Sequence, residues 1–196
     1  MFKSATHVEV VEDPKTTLAE YATIPISFEV HSVLDVLDRS AGQGELLLVE
    51  RKLEVPYIKD YDTIHGEHPT QWPARFDLSN WGFLAAHAAG QRVGAAAVAF
   101  NTPSLDMLDG RSDIAALWDI RVAPEARGQG IGRALFHAAE TWGRARGCRA
   151  LIIETQNINV PACRFYQRQG CVLVAAKKFV YPTLPNEVQL LWRRVL

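Results

Sequence analysis

A strand-like run, a turn with glycine at every second position and a helix-like run succeed one another between residues 114 and 146. The run IAALWDIRV (114–122) is apolar, as a buried strand is. In IGRALFHAAETWGRAR (131–146), Ile131, Ala134, Leu135, Ala138, Ala139, Trp142 and Ala145 recur at the spacing of one helix face. Between them lie Gly128, Gly130 and Gly132, flanked by Arg127 and Arg133. A helix N-terminus has unpaired backbone N–H groups and a partial positive charge, and both attract phosphate. Glycines let an anion approach those amides with no Cβ in the way. The plain alternative is a tight strand–helix turn that binds nothing. Three alternate glycines between two arginines favour the anion site.

The bulk properties narrow the setting. A chain of 196 residues is long enough for one domain with a proper core, and we expect a single domain over 1–196. A net charge of −1 argues against a nucleic-acid partner, which usually selects a clear basic excess. Cys148, Cys163 and Cys171 form no CxxC pair, and their odd number suggests a reducing compartment and no metal framework. No apolar run reaches membrane-spanning length, and MFKSATHVEVVEDPK carries no signal-peptide core, so a cytoplasmic protein without a membrane partner is expected.

Along the chain, 7–13 reads as a strand and 14–22 as a short helix opening at a proline. Residues 26–37 and 44–55 read as strands separated by the turn DRSAGQG. The weakly patterned segment 56–80 reads as a long ordered loop or lid. A hairpin spans 81–100, turning at AGQR, and 101–113 is a polar connection. After the glycine turn, Gly147 suits the helix C-terminus, and 149–155 is a strand. Residues 159–170 form a short helix with Asn159 as N-cap and Pro161 in its first turn, and 171–181 and 187–196 are strands. The order is mixed α/β with one sheet and few helices.

Three phosphate-binding patterns compete for the turn. The P-loop is excluded because no Gly-Lys-Ser/Thr occurs. A dinucleotide fingerprint starting at Gly128 needs glycine where Arg133 stands, and starting at Gly130 it meets Leu135. Glu154 lies where a ribose-binding acid belongs, but too little chain remains for a doubly wound sheet. The third pattern, [RQ]-x-x-G-x-[GA], is met by Arg127, Gly130 and Gly132. Here DIRVAPEARGQGIGRAL resembles the coenzyme A pyrophosphate loop of the GNAT acetyltransferase superfamily. A second signature, N-x-x-A-x-x-F-Y-x-x-x-G, is met by Asn159, Ala162, Phe165, Tyr166 and Gly170. The stretch LIIETQNINVPACRFYQRQGCVL, with YIKDYD (57–62) and YPTLPNEVQLLW, is similar to the streptothricin acetyltransferases within that superfamily.

The resemblance implies an α/β (α+β) fold of the acyl-CoA N-acyltransferase type. Its mixed, mostly antiparallel sheet is flanked by helices and splays between two central strands. It implies acetyl-CoA as cosubstrate and a small-molecule amine as acceptor, a streptothricin-type antibiotic among the candidates. It also offers a homodimer as the assembly. The amides of Gly128, Gln129, Gly130, Ile131, Gly132 and Arg133, with Arg127, would hold the diphosphate. The pantetheine arm would pair with backbone at Ile120 and Val122 in the manner of an added strand, with Asn159 and Ala162 on its other side. Tyr166 is the expected acid for the departing thiolate. Asp119 and Glu154, on the strands that would flank the splay, are the candidate bases. Core packing for Tyr166, a solvent-facing position for Asp119 and a backbone-bonded strand end for Glu154 are the plainer readings. Direct attack is expected over an acetylated enzyme, since Cys163 lies one turn from Tyr166 and no motif places a cysteine at the site.

Other residues weigh less. HGEH (65–68) precedes Pro69 and reads as lid surface rather than a metal site. Trp72 and Trp81, in or beside the lid, are candidate acceptor contacts, and Asp60 and Asp62 are candidate partners for a cation. Acetylation of a polyamine, another antibiotic or a protein N-terminus stays open, as do a non-catalytic acyl-CoA sensor and a dinucleotide-binding protein. Ligand-dependent melting separates the last from the rest. Coenzyme A is expected to raise the melting temperature by mass action and NAD to leave it unchanged; the reverse order would end the acyl-CoA reading.

Overall fold

The computed structural model of the chain describes residues 8–38 and 46–196. In chain order the elements are strand β1 (Val8–Asp13), helix α1 (Leu18–Tyr21), strands β2 (Phe28–Asp38) and β3 (Leu46–Lys59), helix α2 (Trp72–Arg75) and strands β4 (Trp81–Ala88), β5 (Gln91–Phe100) and β6 (Ile114–Val122). Next come helix α3 (Ile131–Arg144), strand β7 (Ala150–Gln156), helix α4 (Val160–Arg168) and strands β8 (Val172–Lys177) and β9 (Gln189–Val195). Residues 39–44 of the expected turn DRSAGQG lie outside the described residues. No described helix is long and apolar enough to cross a membrane. The chain divides into two compact units, one of residues 8–27, 60–151 and 196, the other of 152–195 and the described part of 28–59.

In the first unit the strands run β1-β4-β5-β6, each antiparallel to its neighbour. The facing segments of β4 and β5 are rich in alanine: Ala85, Ala86, Ala95, Ala96, Ala97 and Ala99 are fully buried. Small side chains let α3 lie close over the sheet. A Cβ on Gly94 would come within 3.0 Å of Leu135 Cδ1 and 3.1 Å of Ile131 Cγ2. The helix buries Ile131, Leu135, Phe136, Ala139 and Trp142, largely the face its spacing predicts. Ala145 drops out of that face because the helix ends at Arg144. Gly147, at φ +76°, turns the chain there, and Cys148 N–H returns to Gly143 O at 3.1 Å.

Segment 56–80 differs from the expected lid. Strand β3 continues to Lys59, so the ordered connection starts at Asp60, and the chain then winds through a series of single turns around α2. Trp72 (1% exposed) and Trp81 (3%) are core residues, not acceptor contacts. They pack with Tyr21, Phe76, Phe83 and Trp118 at centroid separations of 5.4 to 6.4 Å. Aromatic residues in a polar stretch look like a surface in sequence; here each indole body is buried and its N–H satisfied. Trp72 donates to Glu67 O at 2.8 Å and Trp81 to Thr102 Oγ1 at 3.1 Å. His68 caps the turn that begins at Pro69, so HGEH is structural.

In the second unit β9 lies between β7 and β8, while β2 and β3 form a long antiparallel pair that is a sheet of its own, correcting the expectation of one sheet. Asn157 ties the β2 backbone to the start of β9: it exchanges hydrogen bonds with Leu34 at 2.9 and 3.0 Å and with Val188 at 2.8 and 3.0 Å. Trp192 donates to Thr155 Oγ1 at 2.9 Å, fixing β9 on β7. The strand expected to reach Tyr181 stops at Lys177, so Tyr181 lies in the connection and its hydroxyl turns to Glu154.

Gly82 shows how tight the first core is. A Cβ there would fall 2.2 Å from Trp142 Nε1, which donates to Glu12 Oε1 at 2.9 Å. Gly82→Ala is expected to cost about 1–3 kcal/mol by overpacking, read as a lower urea midpoint; an unchanged midpoint would refute this packing.

Candidate active site

The glycine turn leaves β6 at Val122 and enters α3 at Ile131. Gly128 and Gly130 have φ of +76° and +87°, the left-handed region that favours glycine, and no atom lies within 4 Å of a Cβ built on either. Backbone conformation and open approach therefore explain these two glycines, not packing. The first rung of α3 is Ala134 N–H to Gly130 O at 3.0 Å, so the amides of Ile131, Gly132 and Arg133 precede the helical ladder. Residues 127–130 are exposed. Arg127 donates to Val122 O at 3.1 Å and Ser27 O at 3.2 Å, which holds its charge beside the turn. The Gln129 side chain folds back onto Glu125 O, leaving its amide as its contribution to the turn. An exposed, open backbone turn with arginines beside it fits a diphosphate.

Asp119, Ile120 and Val122 lie on β6, directly before the turn. Asp119 does not face solvent: its side chain is 6% exposed and both oxygens are engaged. Arg121 donates to them at 2.8 and 2.9 Å, and the Tyr21 hydroxyl to Oδ1 at 2.6 Å. The Arg121 guanidinium, 1% exposed, also makes a two-pronged pair with Asp62 at 2.9 and 3.0 Å and donates to Ile24 O. Asp62, a candidate partner for a cation, finds that cation in Arg121. Burial disfavours the guanidinium charge, but Asp119 and Asp62 more than offset it and hold Arg121 firmly protonated. Burial, and then the Asp119 charge, push the Tyr21 phenol well above its ordinary range.

The other predicted residues belong to the second unit. Asn159 caps α4, its Oδ1 accepting from Ala162 N–H at 3.2 Å, so contact with a ligand falls to its Nδ2 group. Tyr166 is 4% exposed on the inner face of α4, beside Val160 and Cys163. Burial pushes the Cys163 thiol up to about 11, which leaves little thiolate near neutral pH. Glu154, near the end of β7, is partly accessible. It accepts from the Tyr181 hydroxyl at 2.6 Å and from Gln189 Nε2 at 2.7 Å. Sequence reasoning gave Tyr181 and Gln189 no role; the one signal was their place in the family-like stretch YPTLPNEVQLLW. Arg121 was missed too, since nothing local marks a strand arginine as buried. Among the described residues no group of His, Cys, Asp and Glu is arranged to hold a metal ion.

Comparison with known proteins adds a family. Residues 49–171 match the model of the acetyltransferase (GNAT) family. A streptothricin acetyltransferase of Streptomyces lavendulae is 29% identical over 82% of this chain and 79% of its own. Streptothricin acetyltransferase A of Bacillus subtilis (strain 168) is 36% identical over 40% of this chain, a match that spans 46% of that protein. Among solved structures, a Bacillus anthracis protein assigned as a streptothricin acetyltransferase, in complex with acetyl coenzyme A, superposes with a TM-score of 0.77 at 22% identity. That overlap takes in 97% of this chain and all of the other.

The buried charge network can be probed directly. Arg121→Met removes the cation between two carboxylates and is expected to cost about 3–5 kcal/mol in chemical denaturation; a loss under about 1 kcal/mol would mean that the network does not hold the unit together.

Proposed function

Since this chain belongs to the GNAT acetyltransferase family, we propose that it transfers the acetyl group of acetyl coenzyme A to a primary amine of a small, cationic molecule of streptothricin type. The observation that carries the cofactor half is the exposed glycine turn at the start of α3, whose open backbone fits a diphosphate. What supports the acceptor half is likeness to the Streptomyces lavendulae streptothricin acetyltransferase over 82% of the chain. On this reading residues 1–196 act as one acetyltransferase domain, the family match running through both units. A cytoplasmic location accords with three free cysteines, all buried. A homodimer remains part of the proposal.

Acetyl coenzyme A supplies, when bound, a thioester carbonyl and a thiol leaving group. The amides of residues 128–133 and the charges of Arg127 and Arg133 hold its diphosphate. Ile120 and Val122 offer strand backbone to the pantetheine arm, and Asn159 and Ala162 lie at the capped start of α4, where the family pattern puts the arm's other contacts. Glu154 takes the proton from the acceptor ammonium, directly or through water, and Tyr166 gives its phenolic proton to the sulfur, on the family pattern. Glu154 suits the first task better than Asp119, because Asp119 is buried against the Arg121 guanidinium, whereas Glu154 is partly accessible and its donors Tyr181 and Gln189 are uncharged. Direct attack by the amine is favoured because the Cys163 thiol is buried and protonated.

A screen of amines with acetyl coenzyme A, streptothricin included and read by thiol release, tests the reading. Turnover is expected with streptothricin, and in Tyr166→Phe a turnover number reduced about 10²-fold with coenzyme A affinity retained. Full activity in Tyr166→Phe would remove the tyrosine from the mechanism; turnover of polyamines or peptides alone would move the acceptor class.

A further inference from the structure

Glu154 sits in a hydrogen-bond network within the second unit. The Tyr181 hydroxyl donates to its Oε1 at 2.6 Å, the distance of a charge-assisted bond from a neutral hydroxyl to a carboxylate. Gln189 Nε2 donates to Oε2 at 2.7 Å. Gln156 Nε2 donates to the Tyr181 oxygen at 2.9 Å and lies 3.4 Å from Oε1. The two oxygens are thus held by donors from two different places. Tyr181 belongs to the connection after β8, and Gln189 is the first residue of β9. The connection itself is held nearby, where Lys59 pairs with Glu187 at 2.5 Å.

We propose that Tyr181 and Gln189 are positioning residues for Glu154: together they fix the orientation of its carboxylate and hold it ionised, ready to take the proton of the acceptor amine. The proposal rests on Glu154 being the proton acceptor, and it assigns to two further residues a part in the reaction that neither sequence motif contains.

Three physical points carry it. A glutamate side chain has several rotatable bonds, and ordering one orientation costs entropy. Donors on both oxygens, fixed to separate backbone segments, meet that cost in the free protein rather than at the moment of proton transfer. Secondly, hydrogen bonds to the charged form of a carboxyl favour that form. Tyr181 is suited to give one, because burial and then the Glu154 charge raise its phenol far above neutral pH, so it stays an O–H donor. Thirdly, the bond from Gln156 to the phenolic oxygen polarises the hydroxyl that donates to Glu154, and such chains strengthen each other. Gln156 is the last residue of β7, two positions from Glu154, so it needs no long-range fold to reach the network. Tyr181 and Gln189 do.

The test tracks the Glu154 carboxyl itself by carbon-detected NMR titration of the free protein, with the acidic limb of kcat/KM measured in parallel. In Tyr181→Phe the carboxyl is expected to titrate about one pH unit higher than in the wild type, through loss of a bond to its charged form. The acidic limb should rise by the same amount, leaving coenzyme A affinity unchanged. Gln189→Leu, which removes the donor on the other oxygen, should shift both in the same direction and serves if the tyrosine variant does not fold. Glu154→Gln is the control for the underlying reading. If it keeps wild-type turnover and the acidic limb, Glu154 is not the acceptor and the positioning role falls with it. If Glu154→Gln is slow but neither Tyr181→Phe nor Gln189→Leu moves the NMR titration, Glu154 remains the acceptor and the positioning role alone is overturned.

Discussion

The Arg121 side chain is 1% exposed, one residue before the end of the strand that leads to the glycine turn. A charge taken that far out of water is tolerated only if the surrounding groups replace its hydration. Asp119 and Asp62 do so, with Ile24 O and the Tyr21 ring, whose centroid lies 5.3 Å from the guanidinium carbon. The partners come from α1 and the turn after it, from the start of the 60–80 segment and from β6 itself. One guanidinium therefore fixes, within the first unit, the strand that precedes the anion-binding turn and the segments that pack on it.

That constraint also sorts the two candidate acids. Asp119 accepts from a permanent cation and from a phenol, and its oxygens are engaged inside the unit. Glu154 is partly accessible and accepts from the uncharged groups of Tyr181, Gln189 and Gln156. Protonating a carboxylate bound to a buried guanidinium would leave that cation without its partner, at a cost to the fold. One held by neutral donors keeps its charge and stays available. The difference in chemistry comes from their neighbours, not from the residue type or the strand position.

Much of the first unit was readable in order. The α3 face came from its spacing, and the ends of β4 and β5 from AGQR. In the second unit, the cap at Asn159 came from a side chain that reaches an amide three residues on. Such signals are local, so the chain shows them without its fold. The 56–80 segment misled because polar residues and prolines in it mask a core built on Trp72, which donates to Glu67 O and packs on Tyr21 and Trp118, far away in sequence. Likewise, the length of β3 and the separate β2–β3 sheet depend on pairing partners that periodicity does not name.

By itself, then, the sequence determined the strand–turn–helix with its open glycine backbone, the capped helix that carries Tyr166, and the family to which these belong. Each rests on contacts within a few residues, or on motifs written contiguously. Only the tertiary structure decided that Asp119 is locked in an ion network, that the lid tryptophans are core, and that Glu154 is held by residues 27 and 35 positions away. Burial and long-range hydrogen bonding set the charge state and freedom of a side chain, and neither quantity exists until distant segments meet.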